Sequence, residues 1–160
     1  MANTQKAEMG RPHELPPLDA CTLRHFAETH EAGELRVFMP HTSIDLTRAA
    51  LSTIAALARD LTAHITLIAV KVVPFPLPLN RPDVSPGFIQ QQLVAVAREI
   101  DAPVDVQVVI ARDLDVGLRR FISTGSLVVV ATKKRPWWTA ETRLARSLAQ
   151  AGHSVALLGV

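Results

Sequence analysis

Tyrosine is absent from the 160 residues, and cysteine occurs once, as Cys21. One thiol excludes an internal disulfide, and an unstapled domain fits a reducing compartment. No apolar run is long enough to cross a bilayer, and the first residues lack the apolar segment of a signal peptide. A cytoplasmic location is the expectation. A marked excess of either charge is missing too. Seventeen Lys and Arg against fifteen Asp and Glu leave a formal +2, too weak a field to argue for nucleic acid. Glycine is missing where it bears most on function. A Val-rich strand runs through residues 126–132 into Lys133, Lys134 and Arg135, and none of residues 126–138 is glycine.

What the chain has is aliphatic residues: 48% of it is hydrophobic. A chain this long buries a real core as one domain. Its Val, Leu, Ile and Ala suit parallel strands covered on both faces. Residues 1–17, polar and proline-rich, read as a flexible tail. Residues 18–34 read as an N-terminal extension with room for one short helix. Asp19 can cap it, Leu23, Phe26, Ala27 and His30 share a face, and Gly33 can end it.

Residues 35–160 alternate strand and helix. Strands are expected over residues 35–39, 65–73, 104–110, 126–132 and 154–160. Pro40 ends the first. Thr42 and Asp45 then have capping-box spacing, and Leu46, Ala50, Ile54, Leu57 and Leu61 follow a helical period. Pro74, Pro76, Pro78, Pro82 and Pro86 make a stiff loop. Later helices carry inward faces of Ile89, Leu93, Val96, Ala97 and Ile100, then Leu114, Leu118, Phe121 and Ile122. The last begins at Thr139 or Thr142 and turns Leu144 and Leu148 inward; Gly125 and Gly152 follow helix ends. Such alternation implies right-handed crossovers and an α/β fold with a mostly parallel sheet and helices on both faces. Ligands of such sheets sit beyond the carboxyl ends of the strands, where strand order reverses. The pocket walls are then residues 40–43, 70–73 and 131–134.

Residues 35–160 resemble a universal stress protein (UspA-like) domain. The matching features are a first strand ending in proline before a capped helix, a long loop after the second strand and a closing C-terminal strand. The resemblance implies a Rossmann-like five-stranded parallel sheet of order 3-2-1-4-5, a homodimer, and in many members ATP. Nucleotide-binding members carry an acidic residue two places after the first-strand proline, where this chain has Thr42. Their Gly-x-x-Gly after the fourth strand falls on Ala131 and Lys134, and their later Gly-Ser pair on Glu141 and Thr142. Only the hydroxyl is kept. The candidate pocket is therefore Pro40, His41, Thr42, Val70, Ala131, Thr132, Lys133, Lys134, Thr142 and Arg143, and it reads as degenerate.

The physical consequence is specific. A phosphate cradle needs backbone N–H groups aimed at the anion, and glycine allows the close approach. Ala131 adds only a methyl group. Lys134 adds a long side chain of helpful charge, while Glu141 suits the start of a helix and repels phosphate. The expectation is no resident cofactor, with ATP as the alternative. Lys133, Lys134 and Arg135 read either as a solvated basic turn or as a side-chain anion site in place of the glycines. Trp137 and Trp138 either cap the core or offer a stacking surface to a partner. Residues 134–138 are also similar to the cytosolic C-terminal domain of some amino-acid permeases, which implies a soluble partner of a membrane transporter.

Enzymatic readings fail on residues. There is no Gly-x-Gly-x-x-Gly after the first strand, no Gly-x-x-x-x-Gly-Lys loop and no Gly-x-Ser-x-Gly elbow. His41 lacks a nearby carboxylate or cysteine in sequence. His13, His25, His30, His64 and His153 show no metal-ligand spacing. The final strand is apolar and no charge guards it. If it lies at the sheet edge, as the resemblance implies, its free main-chain groups invite pairing. A two-fold homodimer through Val155, Ala156, Leu157, Leu158 and Val160 is the expectation.

Overall fold

The computed structural model describes residues 15–29, 34–123, 125–134 and 139–160. Helix α1 (Ala20–Thr29) precedes five strands that alternate with four further helices. These are β1 (Glu34–Pro40), α2 (Ile44–Leu57), β2 (Thr62–Val72), α3 (Pro86–Arg98), β3 (Val104–Ala111), α4 (Leu114–Phe121), β4 (Leu127–Thr132), α5 (Ala140–Gln150) and β5 (Ser154–Gly159). The strands form one parallel sheet of order β3-β2-β1-β4-β5. Both the alternation and the order match expectation.

Strand side chains divide by parity, as a pleat requires. Val37, Met39, Ile65, Leu67, Val129, Ala131, Ala156 and Leu158 enter one core, with α1, α2 and α3 packed over it. Phe38, Ile68, Val109, Val128, Val130 and Val155 enter the other, under α4 and α5. Right-handed crossovers give this division: α2 and α3 carry the chain from β1 outward to β3, and α4 and α5 carry it back past β1 to β5.

Local chemistry sets the helix ends. Ser43, not Thr42, is the N-cap of α2 and accepts from Leu46 N at 3.3 Å. Asp113 caps α4, Thr139 caps α5, and Asp19 accepts from Thr22 N at the start of α1. Gly152 follows α5 at φ +93°, a conformation that favours glycine.

Helix α4 departs from the periodic reading. Leu118 and Ile122 are buried, but Leu114 and Phe121 are exposed. Gly117 sets the helix face. A Cβ there would lie 2.8 Å from Val70 Cγ1 and 3.0 Å from Ala111 Cβ, so glycine lets α4 settle on β2 and β3. Asp115, Arg119 and Ser147 then tie α4 to α5. The β2–α3 loop is pinned as well. The Arg112 guanidinium donates to the carbonyls of Val73, Pro74 and Leu77 and stacks 4.1 Å over the Phe75 ring. Lys71 meets Asp83 at 2.7 Å.

The two sheet edges differ. At β5, Leu157 N donates to Pro16 O at 3.0 Å and Leu18 N donates to Leu157 O at 2.8 Å, so residues 16–18 lie parallel to the strand. Leu15 packs on the α4/α5 core and Leu18 on the other, so the segment wraps the edge. This is where the last part of the expected tail goes; residues 1–14 lie outside the described residues. At β3, Val104–Ala111 ladders only with β2.

Candidate crevice at the strand switch point

The connections after β1 and β4 lead toward opposite edges of the sheet, which makes the carboxyl ends of these two strands the switch point. Their register is confined to Val37↔Leu127 and Phe38↔Val128. A proline explains why it stops. His41 N donates to Ile68 O at 2.8 Å, so odd positions at this end of β1 face β2 and even ones face β4. Pro40 is the next even position, and it has no N–H to continue the ladder. On the other wall Val160 N donates to Thr132 O, so even positions of β4 face β5 and the main chain of Ala131 faces β1. The Ala131 methyl is in the core, not in the crevice.

His41 and Thr42 follow on the β1 side. His41 Nδ1 lies 2.8 Å from Thr47 Oγ1, and burial holds the imidazole below its ordinary pKa. The ring is therefore neutral at pH 7. Thr47 is 1% exposed, so this pair anchors the loop to α2 and no substrate can reach that hydroxyl. Thr42 Oγ1 is buried and has no hydrogen-bond partner among the described residues. That matters because a buried hydroxyl left alone costs about 1–3 kcal/mol.

Across the crevice Lys133 and Lys134 are exposed at the end of β4, and Lys134 passes beside Gly159. Arg143 is exposed on the first turn of α5. None of the three has a carboxylate partner among the described residues. Thr132 is buried, with Oγ1 3.3 Å from Lys133 O. Thr142 is buried too; its N–H and hydroxyl both meet Thr139 Oγ1, at 3.2 and 3.0 Å. The one hydroxyl kept from the glycine-rich pattern thus serves the helix cap. Glu141 stands in the same first turn.

Val70 does not line the crevice as expected. Its side chain lies under Gly117 on the α4 side. Trp137 and Trp138, with Arg135, fall outside the described residues. Sequence reading missed three features: the Arg112 clamp, the Gly117 contact and the strap on β5. Arg112 carried a weak signal, as a lone arginine ending a strand beside a proline-rich loop. A cavity of about 500 Å³ opens at the opposite end of the sheet, between Ala55, Ala63 and Ile100, with Arg59, Glu99 and Asp101 among its walls. No cluster among the described residues could hold a metal ion. No described helix is long and apolar enough to cross a membrane.

No family model matches the sequence, and no curated protein matches it. Solved structures do. A universal stress protein from Archaeoglobus fulgidus superposes with a TM-score of 0.51 at 13% identity, over 77% of this chain and 92% of that one. A protein from the universal stress protein family from Burkholderia pseudomallei gives 0.48 at 18% identity, over 78% and 96%. The first likeness is one of fold.

Proposed function

We propose that this chain is a universal-stress-protein-like regulatory or interaction module, not an enzyme, whose crevice does not hold ATP in that family's manner. One observation carries the reading: the main-chain wall at Ala131 leads into Lys133 and Lys134 with no glycine to bring amides to a phosphate. The supporting details agree. Thr42 has no charge to offer, Thr142 is committed to the α5 cap and Glu141 repels phosphate at the helix start. A second copy at β5 has to displace residues 16–18 from Leu157, so the module is proposed without pairing at that edge.

The exposed Lys133, Lys134 and Arg143, with no carboxylate partner among the described residues, favour one alternative, a nucleotide sensor that grips phosphate by side chains. Mass spectrometry of the purified protein separates the two. The module carries no co-purified adenine nucleotide and shows a flat thermal shift with ATP and magnesium. A ligand at a hundred times its Kd stabilises by about 2.7 kcal/mol. A shift of that size, abolished by Lys133→Ala with Lys134→Ala, establishes the sensor instead.

A further inference from the structure

We infer that two copies of this chain pair through β3, antiparallel about a two-fold axis at Gln107, with their α3 helices side by side. Ile65 N donates to Pro103 O and Val73 N to Ala111 O, so odd positions of β3 face β2. The N–H and C=O groups of Val104, Val106, Val108 and Ile110 therefore face outward, and no strand among the described residues meets them. A free edge of this length is a pairing surface unless charge, a bulge or proline blunts it. β3 has no proline, and its one charged residue, Asp105, is turned to the α4 side of the sheet.

The edge is complementary to itself. In the register centred on Gln107, Val104 meets the second copy's Ile110 and Val106 meets its Val108. These are the outward-facing residues that antiparallel strands pair by exchanging both hydrogen bonds. Asp105 meets Val109, so no like charges are opposed. The two Gln107 side chains, exposed on the α4 side, meet at the axis. A groove of about 450 Å³ between Val94, Ala97, Arg98, Val104 and Val106 runs beside the edge, where this register puts the second copy's Ile110.

Helix α3 supplies an independent observation. It packs chiefly on β3. Its thirteen residues hold no charge before Arg98, although Phe88, Gln90, Gln91 and Ala95 are exposed. A helix facing water normally carries charge on its outer face. Apart from Arg98 at its end, this face is uncharged, and it is continuous with the strand edge. Eight residues of strand span about 26 Å.

The test uses the full chain. Light scattering at micromolar concentration gives twice the 17.4 kDa chain mass. Gln107→Lys opposes two ammonium groups at the axis without touching the core, and returns the mass to one chain. Gln107→Cys, with Cys21→Ser to remove the native thiol, forms a disulfide dimer under mild oxidant, since directly opposed residues there lie about 4.5 Å apart. A wild-type monomer at every concentration overturns the proposal. So does a dimer that survives Gln107→Lys or fails to crosslink. A peptide of another protein as the occupant gives the monomer outcome.

Discussion

The two outer strands of the sheet present the same hazard and meet it differently. β5 is apolar and ends the ordered chain, yet its central residue already has main-chain partners at Pro16 and Leu18. β3 is longer, ladders on one side only among the described residues and is flanked by a helix whose one charge is Arg98 at its end. The difference lies in where spare chain is available. Among the described residues, the segment ahead of β1 meets β5 through residues 16–18 and not β3, which the order β3-β2-β1-β4-β5 puts at the far side. An edge open to a second copy is thus set by the path of the N-terminal extension as much as by the composition of the strand.

The largest test of this contrast is at the anchor of the strap. Leu23 on α1 is fully buried in the core that also holds Leu18. Leu23→Ala lowers stability by about 2–5 kcal/mol in denaturant unfolding if α1 is a true part of the fold. A loss under about half a kcal/mol would show that α1 packs loosely and that β5 is effectively bare.

Hydrogen exchange gives an intermediate effect. The amides of Leu18 and Leu157 are protected at all protein concentrations, because their partners are in the same chain. The outward amides of Val106 and Val108 exchange quickly in dilute solution and slow as concentration rises. Equal protection at both edges in dilute solution contradicts the contrast.

The smallest effect is acid sensitivity, and it belongs to neither edge. Burial lowers the pKa of His41 in the fold, so the unfolded chain takes up the proton more readily. The contribution of the neutral ring is whole above its ordinary value of 6.5 and is lost as pH falls below it. The Tm therefore declines from about pH 6.5 downward, before carboxylates titrate. His41→Asn flattens that decline without altering the oligomeric mass. An unchanged profile removes His41 as the cause.

Much of the fold was legible in residues. The unbroken apolar runs of Val37, Phe38 and Met39, and of Val128, Val129 and Val130, announced strands buried on both faces. Leu46, Ala50 and Ile54 announced a helix. Leu114 and Phe121 misled because periodicity assumes that large apolar residues set the buried face. In α4 the smallest residue sets it, Gly117 against Val70. The same contact took Val70 out of the crevice. Thr42 was read as a cap because its spacing to Asp45 fits one, but Ser43 has the extended backbone that aims a side chain at the first turn.

The sequence by itself determined the kind of fold and which residues stand after the fourth strand. Periods of two and 3.6 residues and the absence of glycine act over a few neighbouring positions and can be read there. Only the tertiary structure decided which outer strand is free, which hydroxyl lacks a partner and which is spent on a cap. Those outcomes depend on main-chain groups meeting across more than a hundred residues, as Pro16 meets Leu157, and no local pattern encodes such a meeting.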